Sequence, residues 1–274
     1  MKNFICTTCG VQAEASATAP EKCRICNEER QYVSPAGQTW TTLDEMEESG
    51  IYRNLILPEE EGLFNISTTP NFGIGQTAYL VQGKNLNLLW DCITYIDSET
   101  TSEIKQLGGI DAIALSHPHY YSAQVEWAEA FGASIYIHED DKEWVTRTSD
   151  RIIFWSGESL ELTKDIGLHR VGGHFKGAAV AEWKAGSNGT GVLLTGDIIR
   201  VVSDREWVTF MYSYPNFIPL PASIVERMAG QMAEVKFNRL YDAFHRILEE
   251  DAGAAVQRSA KRYVAALNGE LFST

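Results

Sequence analysis

The segment Ser116-His117-Pro118-His119-Tyr120-Tyr121-Ser122 follows an apolar run, Ile110 to Leu115, that reads as a buried strand. Two histidines at i and i+2 after a strand can turn both rings to one side of an extended loop. That spacing suits two imidazoles on one metal ion. Pro118 stiffens the backbone between them, so less ordering has to accompany binding.

A third histidine lies in Val171-Gly172-Gly173-His174-Phe175-Lys176-Gly177, again a strand leading into a glycine-flanked turn. The glycines allow close backbone approach to a site. Further on, the apolar run Val192 to Thr195 ends in Gly196-Asp197. A carboxylate at the exit of a buried strand is costly unless it meets a cation. Polar groups delivered from distant strand ends are the usual way a site is built on a rigid sheet.

The flanking sequence is a series of short apolar runs divided by turns. Thr77 to Val81 and Leu86 to Trp90 flank Gln82-Gly83-Lys84-Asn85 as a hairpin. Thr100-Thr101-Ser102-Glu103 reads as the cap of a helix ending at Gly108-Gly109, and Val125, Ala128 and Phe131 mark a second helix face. Strands are expected at Ser134 to Ile137, Ser159 to Leu162, Gly167 to Val171, Ala178 to Trp183 and Gly191 to Thr195, and a long helix at Ala252 to Leu267. Strands interleaved with helices in this way fit a sheet sandwich covered by helices.

The N-terminus carries a different signal. Cys6, Cys9, Cys23 and Cys26 form C-x2-C-x13-C-x2-C, two turns that aim four thiolates at one point. With no secretory signal at the N-terminus, this reads as a metal site and not as disulfides. The segment between the pairs has almost nothing with which to build a core, so residues 1–35 are expected to fold only around their ion. Zinc suits four thiolates best; the segment resembles a zinc ribbon and, less closely, a rubredoxin-type iron knuckle. A closed four-thiolate site leaves no open position, so its role is structural or a dock for a protein partner. Residues 36–62 read as a connector with one short helix, capped at Thr42 and ended by Gly50.

Taken in order, Trp90-Asp91, the H-x-H loop, the Gly173-His174 turn and Thr195-Gly196-Asp197 resemble the metallo-β-lactamase superfamily over about residues 63 to 250. The resemblance implies an α+β fold, the αβ/βα metallo-β-lactamase sandwich, over residues 63–274, with the small zinc knuckle in front of it. It implies His117, His119, His174 and Asp197 as metal ligands, with His245 as the weaker match to the family's last histidine. The family's H-x-H-x-D-H motif reads H-P-H-Y-Y-S here, so Tyr121 and Ser122 stand where two ligands of a second ion belong. A phenol titrating near about 10 is a poor ligand at neutral pH, and a mononuclear site is expected. Asp91 is expected to orient a ligand from outside the metal's own shell. Cys92, His138 and His169 fall on no family position and read as structural.

Such a site implies a metal-dependent hydrolase of a small carbonyl substrate, a lactone, thioester or similar compound. Zinc would sit at the histidines, with Asp197 acting on the bound water and Tyr121 donating to the developing oxyanion. Two other readings remain open. One is a mononuclear iron oxygenase resembling persulfide dioxygenases, with iron on His117, His174 and Asp197; the other is a non-catalytic metal-binding protein with a degenerate site. The aromatic stretch Trp207 to Leu220 is expected to wall the site. Acidic residues outnumber basic ones by 37 to 23, a formal charge of −14, which opposes nucleic acid and anionic membranes as partners. No apolar run approaches the roughly 20 residues of a membrane span, and a cytoplasmic protein is expected.

Overall fold

The computed structural model describes residues 1–273. The chain divides into two compact units, Met1–Trp155 and the remainder from Ser156 onward.

The first unit begins with a small antiparallel sheet in which β1 (Lys2–Cys6) lies between β2 (Gln12–Ser16) and β3 (Trp40–Thr41). Helix α1 (Leu43–Ser49) follows, its first turn closed by the Thr42 side chain accepting from the Glu45 N–H and its end by Gly50 at φ 61°. A seven-stranded sheet comes next. β4 (Arg53–Glu60), β5 (Leu63–Thr69), β6 (Ala78–Gln82) and β7 (Asn87–Trp90) form an antiparallel meander. β8 (Ala112–Ala114), β9 (Ser134–His138) and β10 (Ile152–Trp155) then add in parallel, through crossovers that contain helices α2 (Ser98–Gln106) and α3 (Gln124–Phe131). The expected hairpin is β6–β7, with Leu80 facing Leu89 across the ladder. Leu80, Leu89, Ile113 and Ile135 are all fully buried, each contributing roughly 1.5–3 kcal/mol on removal from water.

Two features of this unit differ from the sequence reading. The α2 cap is Asp97, whose carboxylate accepts from the Thr100 N–H at 2.7 Å, so the helix starts before the expected Thr100. An aspartate accepts this bond at least as well as a threonine. Strand β4 lies inside the expected connector; its run Arg-Asn-Leu-Ile-Leu-Pro-Glu-Glu leaves Leu55 and Leu57 on the exposed face of an edge strand, which hides the alternation a half-buried strand shows.

In the second unit six strands run in the order β11 (Ser159–Glu161), β12 (Ile166–Arg170), β13 (Ala179–Trp183), β14 (Val192–Leu194), β19 (Arg239–Tyr241) and β20 (Ile247–Leu248). All pairs are antiparallel except β14–β19. Between them come two short ribbons, β15 (Arg200–Val201) with β16 (Val208–Thr209) and β17 (Met211–Ser213) with β18 (Ile218–Pro219). The helix Ala222–Ala233, absent from the sequence reading, packs on the expected helix Ala252–Leu267. No helix among the described residues is long and apolar enough to cross a membrane.

Candidate metal centres

At the N-terminus the four cysteines come together as their spacing predicts. Each offers its Sγ, and the four sulfurs lie within 4.8 Å of one another. Cys6 and Cys26 stand 3.6 Å apart, as do Cys9 and Cys23. Four thiolates at about 2.3 Å around a tetrahedral ion are separated by roughly 3.8 Å, so the cluster fits such an ion closely. Gly10, at φ 82°, makes the tight turn after Cys9, and its N–H donates to the Cys6 carbonyl at 2.8 Å. The Gln38 amide donates to Cys6 Sγ at 3.0 Å. Side-chain hydrogen bonds within the cluster pull Cys6 and Cys23 down and push Cys26 up, while burial pushes Cys9 up. Four thiols this close cannot all ionise unaided, and a central cation resolves that conflict.

The other expected ligands are histidines: His117 and His119 are buried in the first unit, and His174 is buried in the second. The backbone around the first two is not the extended loop expected. His117 is extended, at φ −170° and ψ 170°, but Pro118–Tyr120 close a 3-10 turn in which the Tyr120 N–H donates to the His117 carbonyl at 3.1 Å. The fixed φ of Pro118 favours the first position of such a turn. The two rings still approach edge to face, with centroids 5.0 Å apart.

Hydrogen bonds orient these ligands. His117 Nδ1 meets Ser116 Oγ at 2.8 Å, and the Ser116 N–H donates to Asp91 Oδ1 at 2.7 Å. Asp91, on a left-handed backbone at φ 60°, thus bonds to the residue before His117. His174 Nδ1 donates to the Met211 carbonyl at 3.1 Å, which leaves Nε2 as its ligating nitrogen. Gly173, at φ 84°, holds a left-handed backbone that a side chain would strain, and a Cβ there would stand 2.7 Å from Met228 Sδ, which would have to shift. Asp197 brings Oδ1 to 3.9 Å from His174 Nε2.

Other expected site residues are placed elsewhere. His245 is exposed in the β19–β20 turn, at φ 54°. The sequence after Tyr241 turns at once, so the strand end is reached before that histidine. The Tyr121 hydroxyl donates to the Asp141 carbonyl at 3.4 Å, and its ring packs in the first unit's core, so its placement does not supply the expected oxyanion donor. Ser122 Oγ donates to the Cys92 carbonyl at 3.1 Å. Cys92 is buried filler, its thiol pushed up by burial. His138 caps a short turn through the Asp140 N–H, and His169 pairs with Glu182 at 3.2 Å.

The stretch Trp207 to Leu220 divides its tasks. Trp207 lies under the guanidinium of Arg262, 3.5 Å from the ring centroid, and Phe210 packs edge to face on Tyr263; both face the helix Ala252–Leu267. Met211 and Tyr214 meet His174 and Asp197. The Tyr214 hydroxyl, inside the expected aromatic wall but not itself a predicted site residue, donates to the Asp197 carbonyl at 2.8 Å. Burial, and then the Asp197 charge, push that phenol up, so it stays a donor.

Solved structures of metallo-β-lactamases match the chain. DIM-1 gives a TM-score of 0.57 at 14% identity, covering 76% of this chain and 97% of its own. A B3 enzyme with an active-site glutamic acid gives 0.52 at 17% identity, covering 82% and 94%. FIM-1 from Pseudomonas aeruginosa, in its mono-zinc form, gives 0.53 at 15% identity, covering 77% and 96%. The mixed α+β architecture and these matches thus define a metallo-β-lactamase-fold protein with a four-cysteine cluster at its N-terminus. No family model matches the sequence. The chain is 60% identical over 274 residues, 100% of both chains, to a Bacillus subtilis (strain 168) protein named "Uncharacterized protein YmaE". It belongs to the family of that protein.

Proposed function

We propose that the chain is a metal-dependent hydrolase of a small carbonyl substrate, a lactone, thioester or similar compound, working at one ion on His117, His119 and His174. The observation that carries this reading is the buried pair His117 and His119, with ring centroids 5.0 Å apart in the first unit, together with a buried His174 that the Met211 carbonyl orients in the second. Three imidazoles are the ligand set that leaves zinc an open fourth position. Tyr121 and Ser122, at the positions of the missing second-metal ligands, are bonded to Asp141 and Cys92, which supports a mononuclear centre.

A metal ion there would supply Lewis acidity and lower the pKa of a water on it to about 7. The chain's own residues do the remaining work. Met211 and Ser116 orient two imidazoles, and the Asp197 carboxylate, 3.9 Å from His174 Nε2, would accept a proton. Tyr214 fixes the Asp197 main chain. Zinc is the ion proposed for both centres, and a cytoplasmic location suits four thiols that must stay reduced.

Metal analysis of the purified chain, with hydrolysis assays on lactone and thioester panels, tests this. About two ions per chain, with His117→Ala removing one ion and all hydrolysis, support the hydrolase. Iron at the histidines with oxygen uptake overturns it for an oxygenase. A single ion unaffected by His117→Ala overturns it for a non-catalytic protein.

A further inference from the structure

The four-cysteine knuckle is joined to the histidine loop by main-chain bonds within the first unit. The turn after Cys9 sits on residues 73 and 94. Thr94 Oγ1 donates to the Gly10 carbonyl at 2.9 Å, and a Cβ on Gly73 would stand 2.9 Å from the Gly10 nitrogen. Two residues on, the Gln12 N–H donates to the Ser122 carbonyl at 3.1 Å. Ser122 closes the segment that carries His117 and His119. It is buried and left-handed, at φ 44°, a conformation that a non-glycine residue holds only when its surroundings impose it. The knuckle cysteines also share one apolar core with Leu115, just before the loop, and Tyr121, within it.

We propose that the metal on Cys6, Cys9, Cys23 and Cys26 holds the His117–His119 loop in its ligating geometry, so that filling the first centre sets the affinity of the second. Residues 6–26 have too few apolar side chains to order themselves, and metal–sulfur bonds supply that order. When the ion leaves, the Gln12 donor is lost and a buried carbonyl at Ser122 must find water, which frees the residue that ends the histidine segment. Linkage makes the effect mutual: an ion at the histidines tightens the cysteine centre by the same factor.

The inference rests on His117 and His119 as ligands, and the first measurement is chosen to be independent of that. In the full-length His174→Ala chain, amide hydrogen exchange is followed with the cysteines loaded with zinc and after chelation. Amides of residues 116–124 are expected to exchange about tenfold faster without the ion. Unchanged protection there, while residues 5–12 lose theirs, would overturn the proposal. Should chelation unfold the whole unit, Thr94→Val with all four cysteines loaded decides. Its histidine centre should bind cobalt(II) about fivefold more weakly, and equal affinity overturns the coupling. Loop protection that responds to the knuckle in His174→Ala, beside a parent chain whose histidines bind no cobalt at all, would sink the ligand reading alone.

Discussion

His174 donates through Nδ1 to the main-chain carbonyl of Met211 at 3.1 Å, and its Nε2 stands 3.9 Å from Asp197 Oδ1. A buried imidazole that donates through Nδ1 is held in one tautomer, with its unprotonated nitrogen at Nε2. His174→Ala should therefore lower bound metal from about two ions per chain to about one. The cysteine ion should remain, because its four thiolates lie in a separate cluster. Elemental analysis of the variant after dialysis checks this, and retention of both ions would contradict it.

Tyr214→Phe isolates one bond. The hydroxyl donates to the Asp197 carbonyl at 2.8 Å, and its removal leaves a buried carbonyl with one donor fewer. A loss of about 1–2 kcal/mol in unfolding free energy is expected. Metal content should not change, since the bond is to main chain and not to a ligand atom. Denaturant titration beside metal analysis separates the two effects; a variant that loses metal would make Tyr214 part of the ligand support.

Part of this was legible in the sequence and part was not, for physical reasons. The β6–β7 hairpin, α1 with its Thr42 cap and Gly50 stop, and the helix Ala252–Leu267 follow from periodicity and capping. The histidines and cysteines follow from ligand spacing. The helix Ala222–Ala233 was hidden because Pro219 and Pro221 precede it and no side chain caps its start. The role of Tyr214 depends on a tertiary bond to a backbone carbonyl, which no local pattern announces. His245 lies beyond the end of β19 at Tyr241, exposed in the following turn at φ 54°, and strand length is what its local sequence does not announce.

Asp242 gives a pH signature. Its carboxylate is fully buried, and burial raises it from 3.8 to about 6, even though it accepts from the N–H groups of Phe244, Arg246 and Val201. A carboxyl raised by folding binds its proton more tightly in the native state. Its contribution is thus most favourable below pH 3.8 and is lost as pH rises through about 6. Two pKa units correspond to about 3 kcal/mol at most. In Asp242→Asn the fall in stability between pH 4 and 6.5 should flatten by up to that amount. Parallel stability–pH curves for the two chains would show that the group does not titrate in this window.

Removal of the cysteine ion should destabilise the first unit as a whole. Cys6, Cys9, Val11, Cys23, Ile25 and Cys26 are buried in the same cluster as Ile66, Leu89 and Ile113, so the knuckle forms part of that core. A ligand that binds only the folded chain stabilises it by RT ln(1 + [L]/Kd), about 4 kcal/mol at a thousandfold excess over Kd. Chelation should therefore lower the melting temperature, and graded addition of zinc should raise it again with the logarithm of its concentration. The same dependence should persist in His117→Ala, where the histidine centre is disabled but the thiolates are intact. Cys23→Ser should abolish most of it. A melting temperature that responds to zinc in Cys23→Ser as it does in the parent would assign the stabilising ion to the histidines instead.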